Sequence, residues 1–245
     1  MRIDVITLFP ELIEGVVGVS LLGRALEEGL IEVAVTNPRD YTHDRHRTVD
    51  DEPYGGGAGM VMKCDPLFET LEDLRRPDVT PRRIYLSPKG RKLDHGLVRE
   101  LAEEDHLILL CGRYEGVDER VIEHAIDDEI SIGDYVLSGG ELPALVLIEA
   151  LSRMIPGVVG DWESVATDSF FNGLLGPPQY TRPAVYRDHP VPEVLLSGNH
   201  AAIDRWRRKE ALKVTMQRRP DLLIDLSDED KQLLAEVQKE LGPED

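Results

Sequence analysis

The sequence predicts an α/β fold, with a mostly parallel sheet followed by a small, mainly helical C-terminal domain. Apolar strand-like segments alternate with helix-like segments as far as Met154, and this alternation fails after Pro156. Helical periodicity returns only after Asn199. Strands that alternate with helices are typical of a parallel sheet covered on both faces, and such sheets bind ligands beyond the carboxyl ends of their strands.

Each element follows from its own pattern. Short apolar or alternating runs predict strands at residues 3–8, 31–35, 84–86, 106–111 and 129–132. Helical spacing predicts helices at 21–28, after Asp65-Pro66, and at 93–103, 117–126 and 142–154. Asp65 is expected to be an N-cap, with proline at the first helical position. A helix is also expected after Asn199, and another from Ser227, with Asp230 as capping-box partner, to Gly242.

These patterns divide the 245 residues into three parts: an α/β domain at 1–158, a flexible linker at 159–174 and a helical domain at 175–245. No apolar run approaches the length of a membrane span, and the first residues do not resemble a signal peptide. Cys64 and Cys111 lie in apolar surroundings and are expected to be reduced core thiols. We therefore expect a cytoplasmic protein.

Charge argues against a nucleic-acid role except through local patches. Lysine and arginine total 28 against 47 aspartates and glutamates, a net charge of −19 that repels polyanions. Three basic segments stand out from this background, at 39–47, 82–92 and 205–219, and the last carries a local charge of +6. Such runs are either solvated faces or RNA contacts. Trp206, within the last segment, is either a stacking surface or a core residue.

Four glycine-containing loops are candidates for ligand binding, at 50–60, 85–90, 112–116 and 131–143. The last three follow successive predicted strands and should converge on one crevice. The first resembles a Gly-x-Gly nucleotide loop only weakly, because no strand directly precedes it. The sequence contains no P-loop and no Gly-x-Ser-x-Gly elbow, and His43 and His46 lack partners at zinc-ligand spacing.

Taken together, these motifs closely resemble one family. The matching segments are 1–10, 37–62, 85–92, 112–119, 131–143, 168–170, 180–183 and 195–206, in family order along nearly the whole chain. They are similar to the bacterial tRNA (guanine-N1)-methyltransferases of the trefoil-knotted SPOUT superfamily, which modify the guanine just 3′ of the anticodon. Ala58 stands where many members carry proline.

The resemblance implies a homodimer with shared active sites and a deep trefoil knot that holds S-adenosylmethionine. The implied cofactor-binding residues are Tyr85, Leu86, Ser87, Pro88, Gly112, Tyr114, Glu115, Ile132, Gly133, Asp134, Tyr135, Val136, Leu137, Gly139, Gly140 and Pro143. The candidate tRNA contacts are Arg39, His46, Asp50, Gly56, Gly57, Asn199, Arg205 and Arg208. Mg²⁺ is a further candidate cofactor, and Glu115 is the carboxylate nominated for it.

The chemistry requires a base and a cation. Guanine N1 carries a proton at neutral pH, so its attack on a sulfonium methyl group needs a general base, and the charge that develops on O6 needs stabilisation. The resemblance assigns the base to Asp168 and the cation to Arg153. The alternatives are an N-cap role for Asp168 and a solvated helix-end role for Arg153.

Three other functions remain to be distinguished: a knotted methyltransferase that acts on a ribose 2′-hydroxyl, a non-catalytic RNA-binding protein of the same fold, and a Rossmann-type small-molecule methyltransferase. The atom that carries the methyl group in the product separates the first from the N1 enzyme. The joint presence of Arg153 and Asp168 in their motifs argues against the second. The lack of a strand before Gly55 argues against the third.

Overall fold

A computed structural model describes residues 1–160 and 166–242. The chain forms two compact units, Met1–Gly160 and Asp161–Asp245. Part of the predicted linker, residues 161–165, lies outside the described residues, as do the last three residues of the predicted helical domain.

The first unit is built on five parallel strands. The strands are β1 (Arg2–Ile6), β2 (Glu32–Thr36), β5 (Arg82–Lys92), β6 (His106–Cys111) and β7 (Asp128–Ser131). Their order across the sheet is β2-β1-β6-β5-β7, with every neighbouring pair parallel. Two short strands, β3 (Asp50–Asp51) and β4 (Val61–Met62), form a separate antiparallel hairpin.

Six α-helices and a short 3-10 helix (Pro38–Tyr41) complete this unit. The α-helices are α1 (Pro10–Val17), α2 (Ser20–Glu27), α3 (Cys64–Asp73), α4 (His95–Leu101), α5 (Glu119–Ala125) and α6 (Glu141–Ser152). The central strand β6 is buried throughout and alternates between two cores. Leu107 and Leu109 pack with α1, α2, α4 and α6, whereas Ile108 and Leu110 pack with α3 and α5. The sheet is thus covered on both faces, as the sequence predicts.

Helices α1 and α3 differ from the sequence prediction. Helix α1 was not predicted, although Pro10 starts it and Ile13 and Val17 bury one face. Helix α3 begins at Cys64 with Lys63 as N-cap, so the expectation that Asp65 is the N-cap is wrong. The backbone N–H of Lys63 donates to Val49 O at 2.8 Å, which keeps this residue extended immediately before the helix.

Strand β5 is longer than the predicted 84–86. Its pairing with β7 breaks after Leu86 and resumes at Arg91, so that Ile130 is the partner of both residues. The chain bulges out at Ser87–Gly90 between these two anchor points. Gly90 is required there, because a Cβ atom would lie 2.3 Å from the backbone of Glu129. The bulge brings Ser87 and Pro88 to the carboxyl edge of the sheet.

The second unit is mainly helical. The described part of this unit includes the hairpin strands β8 (Val185–Tyr186) and β9 (His189–Pro190), the helices α7 (Glu193–Leu196), α8 (His200–Arg218) and α9 (Asp228–Leu241), and a 3-10 helix at Pro220–Leu222. The predicted caps are present: the side chains of Asn199 and Ser227 accept hydrogen bonds at the starts of α8 and α9. A small core that includes Leu212 and Leu233 joins these two helices.

Candidate active site

The carboxyl ends of β5, β6 and β7 enclose one cavity of about 660 Å³, part of it open to solvent. Its walls are the β5 bulge, the loop after β6 and the loop between β7 and α6. These are three of the four loops that the sequence singled out, and the fold brings them together. The cavity is lined by Tyr85, Leu86, Ser87, Pro88, Gly112, Arg113, Tyr114, Glu115, Gly116, Ile130, Ser131, Ile132, Gly133, Tyr135, Val136, Leu137, Ser138, Gly139, Gly140 and Pro143.

Every residue named above for cofactor binding lies on this wall except Asp134, which is exposed between Gly133 and Tyr135. Burial raises the pKa of the Tyr85 phenol, so this ring forms a neutral wall. Backbone groups and apolar atoms therefore provide most of the lining, with few charged side chains. A site of this kind selects ligands by shape and by hydrogen bonds to the main chain.

Close approach requires glycine at two positions of the wall. A Cβ atom at Gly112 would lie 2.8 Å from the Tyr85 ring, and one at Gly140 would lie 2.7 Å from the backbone of Cys111. The N–H of Gly140 donates to the carbonyl of Gly112 at 3.0 Å, which ties the start of α6 to the end of β6. Two walls of the cavity thus meet in direct backbone contact.

A buried ion pair, not predicted from the sequence, supports these walls. Glu141 is 1% exposed, and its Oε1 accepts hydrogen bonds from Thr7 Oγ1 (2.6 Å) and Arg113 Nε (3.1 Å). Arg113 Nη2 lies 2.8 Å from the other carboxylate oxygen, and its Nη1 donates to Ser138 O at 3.3 Å. Its guanidinium lies 4.3 Å from the centre of the Phe9 ring. The Arg113–Glu141 ion pair therefore holds the loop at Ser138, immediately before α6, in place.

Replacing Glu141 by glutamine should lower the free energy of unfolding of the first unit by about 3 kcal/mol, because a half-buried guanidinium loses its compensating charge. Thermal unfolding measures the change. The control is Glu149→Gln on the exposed side of the same helix, which should leave the unfolding temperature unchanged. Equal unfolding temperatures for the two variants would show that the Glu141 charge stabilises nothing.

The two predicted catalytic residues lie in different units. Arg153 is the C-cap of α6 and is half-buried. Asp168 is exposed in the second unit and lines a separate cavity there, together with Asn172, Arg207 and Arg208. No helix starts at Asp168, because residues 167–174 form turns and bends, so the alternative N-cap role for this residue is wrong.

Comparison with known proteins identifies the family. The family model described as tRNA (Guanine-1)-methyltransferase TrmD matches residues 1–225. The chain belongs to this family. Proteins named tRNA (guanine-N(1)-)-methyltransferase are 54% identical in Dehalococcoides mccartyi strain 195, over the whole of both chains, and 56% identical in Pseudomonas putida W619, over 98% of this chain and 97% of the relative. The relative in Dictyoglomus turgidum is 53% identical over 100% and 99% of the two chains.

For this tRNA (guanine-1)-methyltransferase family member, the predicted α/β class with a mostly parallel sheet and a helical C-terminal region is confirmed. The Rossmann alternative is wrong, because the glycine run at 55–59 lies in the loop of the β3–β4 hairpin and no helix follows it directly. Gly56 and Gly57 are exposed there with positive φ angles, and Asp50 pairs with Met62.

The first basic segment lies beside the cavity. Arg39 is half-buried and donates to the carbonyl of Arg47 at 2.9 Å, and its second amino group lies 3.4 Å from the Tyr114 hydroxyl. His46 is exposed in the same loop. His43 bonds to Glu69 rather than to a second histidine. This loop therefore places Arg39 next to the wall after β6, whereas Arg47 pairs with Asp40.

Many cations of the other two basic segments are paired with acids. Arg205 bonds to Glu236, Arg208 holds Asp230 with two hydrogen bonds of 2.7 and 2.8 Å, and Lys209 bonds to Glu240. All three acids belong to α9. In the middle segment the pairs are Arg82–Asp128, Arg83–Asp127 and Arg91–Glu100. The acidic excess of the chain thus neutralises much of its own basic surface.

Replacing Arg208 by methionine should destabilise the second unit at pH 7 by about 1.5–3 kcal/mol, the usual contribution of hydrogen bonds to charged groups. The bond from Arg208 holds the pKa of Asp230 below its ordinary value. The stabilising free energy of this pair is therefore fully present above the ordinary aspartate pKa near 4. It is lost as the pH falls through the lowered pKa that Asp230 has in the folded protein. Thermal unfolding from pH 7 to pH 3 should show the difference shrinking with acid. Arg218→Met, which changes an exposed cation at the end of α8, serves as control. A pH-independent difference would contradict the assignment.

The remaining expectations concern thiols, metals and membranes. Cys111 is buried and free, and burial raises the pKa of its thiol well above the usual value. Cys64 is free but only half-buried. Within residues 1–160 and 166–242, no group of three or more histidine, cysteine, aspartate or glutamate side chains could hold a metal ion. No helix in the same described ranges is long and apolar enough to cross a membrane.

Proposed function

We propose that this protein transfers the methyl group of S-adenosylmethionine to N1 of the guanosine at tRNA position 37, next to the anticodon. The observation that carries the proposal is the cavity at the carboxyl ends of β5, β6 and β7, walled by backbone and glycine, in a chain of this family. The names of the relatives support the reaction and its RNA substrate.

The cavity fits S-adenosylmethionine. It lies at the carboxyl ends of parallel strands, which is the usual place for a ligand in such a sheet. Gly112 and Gly140 allow the walls of the cavity to pack closely on each other, and other main-chain N–H and C=O groups of the three loops can bind an adenine edge without a charged side chain. When bound, S-adenosylmethionine supplies an electrophilic methyl group.

Asp168 and Arg153 act on the guanine. The Asp168 carboxylate takes the N1 proton, which frees the lone pair for attack, and the Arg153 guanidinium stabilises the negative charge that spreads to O6. Asp168 is accessible to a large substrate because it is exposed. Arg153 is held at the end of a helix whose other end, Glu141, is anchored beside the cofactor cavity. The chain therefore has both groups that the reaction requires.

A homodimer with shared sites accounts for the placement of these residues in separate units. One face of α1 and α6, which contact each other, exposes Leu12, Val16, Leu142 and Val146, each more than 40% exposed. An apolar patch of this kind on adjacent helices is typical of a surface that another chain covers. We propose that two copies pack through this face and that Asp168 of one copy serves the cavity of the other.

The finer assignments follow the same proposal. We assign residues 1–158 to the cofactor domain, with a trefoil knot, 159–174 to an interdomain linker and 175–245 to the RNA-binding domain, and we place the enzyme in the cytoplasm. Arg39, His46, Asp50, Gly56, Gly57, Asn199, Arg205 and Arg208 are the proposed tRNA contacts. Because contacts with RNA phosphates release counterions, the affinity of the protein for tRNA should fall steeply as the salt concentration rises.

Mg²⁺ has no built site among the described residues. Glu115 lies on the cavity wall with its carboxylate packed against Gly59, where a Cβ atom would lie 2.4 Å from it. A single carboxylate does not form the octahedral oxygen cage that Mg²⁺ prefers. We propose that Glu115 contacts S-adenosylmethionine and that its carboxylate affects the binding of Mg²⁺. We assign no chemical step to the ion.

The test is transfer of a labelled methyl group to tRNA that carries guanosine or adenosine at position 37, followed by digestion to nucleosides. We expect N1-methylguanosine from the first RNA and no product from the second. A methyl group on the ribose 2′-hydroxyl would identify the alternative knotted enzyme. RNA binding without methyl transfer would identify the non-catalytic alternative.

A further inference from the structure

The second unit contains a cleft that the proposed reaction does not use. Its walls are the rings of Tyr180 and Trp206, whose centres lie 6.3 Å apart with planes tilted by 55°. Its floor is aliphatic and includes Val191, Leu195 and Ile203. About 1,080 Å³ of space, much of it open to solvent, lies between these groups. We call this feature the aromatic cleft.

The rings of the aromatic cleft are accessible for stacking. Tyr180 is 49% exposed, and Trp206 is only half-buried. Of the two roles that the sequence left open for Trp206, a core position is the wrong one, because the core of this unit is centred on Leu212 and Leu233. The tilt between the rings keeps them from stacking on each other. The rings still lie at the distance of an aromatic pair and cover part of each other, so a further planar ring can lie against the parts of the rings that stay exposed.

The charge around the cleft favours an anionic ligand. Arg182 and Arg207 line it and are exposed, and the nearest carboxylate to Arg207 is that of Asp204, at 3.8 Å. Among the described residues that line the cleft there is no aspartate and no glutamate, in a chain that has 47 of them. The polar side chains of Gln179 and Thr181 at its edge can donate and accept hydrogen bonds.

We propose that the aromatic cleft binds one unstacked nucleobase of the tRNA anticodon loop, other than the target guanine, with the adjoining phosphate on Arg182 and Arg207. Aromatic faces, guanidinium groups and amide hydrogen bonds together are how proteins bind single-stranded RNA bases. This inference rests on the proposed function, because it assumes an RNA substrate. It adds a second base-binding site in a unit other than the one that holds the cofactor cavity.

The test uses the fluorescence of Trp206. The chain has two tryptophans, so Trp162→Phe leaves Trp206 as the only one. An anticodon stem–loop RNA is added to this variant, and then a series of the same RNA with one abasic nucleotide at each unpaired loop position. We expect saturable quenching of Trp206 by the intact RNA. Quenching should be lost when one particular base, not the target guanine, is removed.

Methylation kinetics provide a second measurement. Trp206→Leu should raise the KM for tRNA about 10-fold with kcat unchanged, because one base–aromatic stack is lost and the reacting groups are not touched. Arg218→Gln is the matched control for Arg182→Gln: it removes an exposed cation of the same unit that does not line the cleft. Only the Arg182 variant should weaken the quenching.

The outcomes separate this inference from the proposed function. Normal N1 methylation with no quenching would overturn the base-binding role of the cleft and leave the enzyme assignment intact. Quenching that survives every abasic substitution would also overturn it, because a phosphate contact alone would then suffice. An emission change that depends on protein concentration without RNA would show that a second copy of the chain occupies the cleft. Absence of methylation on any tRNA would overturn the proposed function itself, and the cleft assignment with it.

Discussion

Replacing Asp168 by asparagine is expected to slow single-turnover methylation by about 10²–10⁴-fold, the usual contribution of a positioned general base. The substitution preserves size and removes the group that accepts the N1 proton. Affinity for S-adenosylmethionine should stay near the wild-type value, because Asp168 is not among the residues that line the cofactor cavity. Rapid quenching with labelled methyl donor gives the rate, and equilibrium titration gives the affinity.

The matched control is Asp225→Asn, which removes the same charge from an exposed position of the second unit that lines neither the Asp168 cavity nor the aromatic cleft. It should methylate at the wild-type rate. Mixed dimers extend the test, since a dimer of one Asp168→Asn chain and one Arg153→Ala chain should recover one working site if the sites are shared. Wild-type single-turnover rates for Asp168→Asn would remove this carboxylate from the mechanism.

Replacing Gly140 by alanine is expected to weaken binding of S-adenosylmethionine by about 10²-fold, because the added Cβ atom meets the Cys111 backbone at 2.7 Å. The start of α6 or the end of β6 must then move, and both form the cavity wall. Overpacking of this kind costs about 1–3 kcal/mol of stability. Equilibrium titration with the cofactor and thermal unfolding measure the two effects.

Gly15→Ala is the control, because it makes the same chemical change in α1, where a Cβ atom meets nothing within 4 Å. Alanine is the better helix former, so this variant should keep wild-type cofactor affinity and gain up to about 1 kcal/mol of stability. Equal cofactor affinity for the two variants would mean that the contact between α6 and β6 does not shape the cavity.

Elements with a strong local pattern could be predicted from the sequence. Strand β6 has the predicted bounds, because an unbroken apolar run between two turn segments fits a fully buried central strand. The clustering of three loops at one edge followed from the parallel topology. Helix α1 was missed, since only Ile13 and Val17 of its eight residues are buried and its periodic signal is short.

What the sequence could not predict depends on distant partners. Nothing near Glu141 in the chain indicates that it pairs with Arg113 and Thr7, the latter 134 residues away. The pairing of Arg208 with Asp230 likewise depends on how α8 packs against α9. A basic run viewed alone is indistinguishable from an open RNA surface, and only the fold shows which of its cations already have acidic partners.

The β5 bulge makes one wall of the cofactor cavity rigid, so that only the opposite wall can change its conformation when a ligand binds. Residues 87–90 are fastened to β7 at both ends of the excursion, so they cannot swing outward without breaking the sheet. Residues 134–138, on the opposite wall, are all exposed. We therefore expect a small molecule to enter and leave the cavity by local opening of residues 134–138. The conformational entropy that the protein loses on ligand binding is then confined to these few residues.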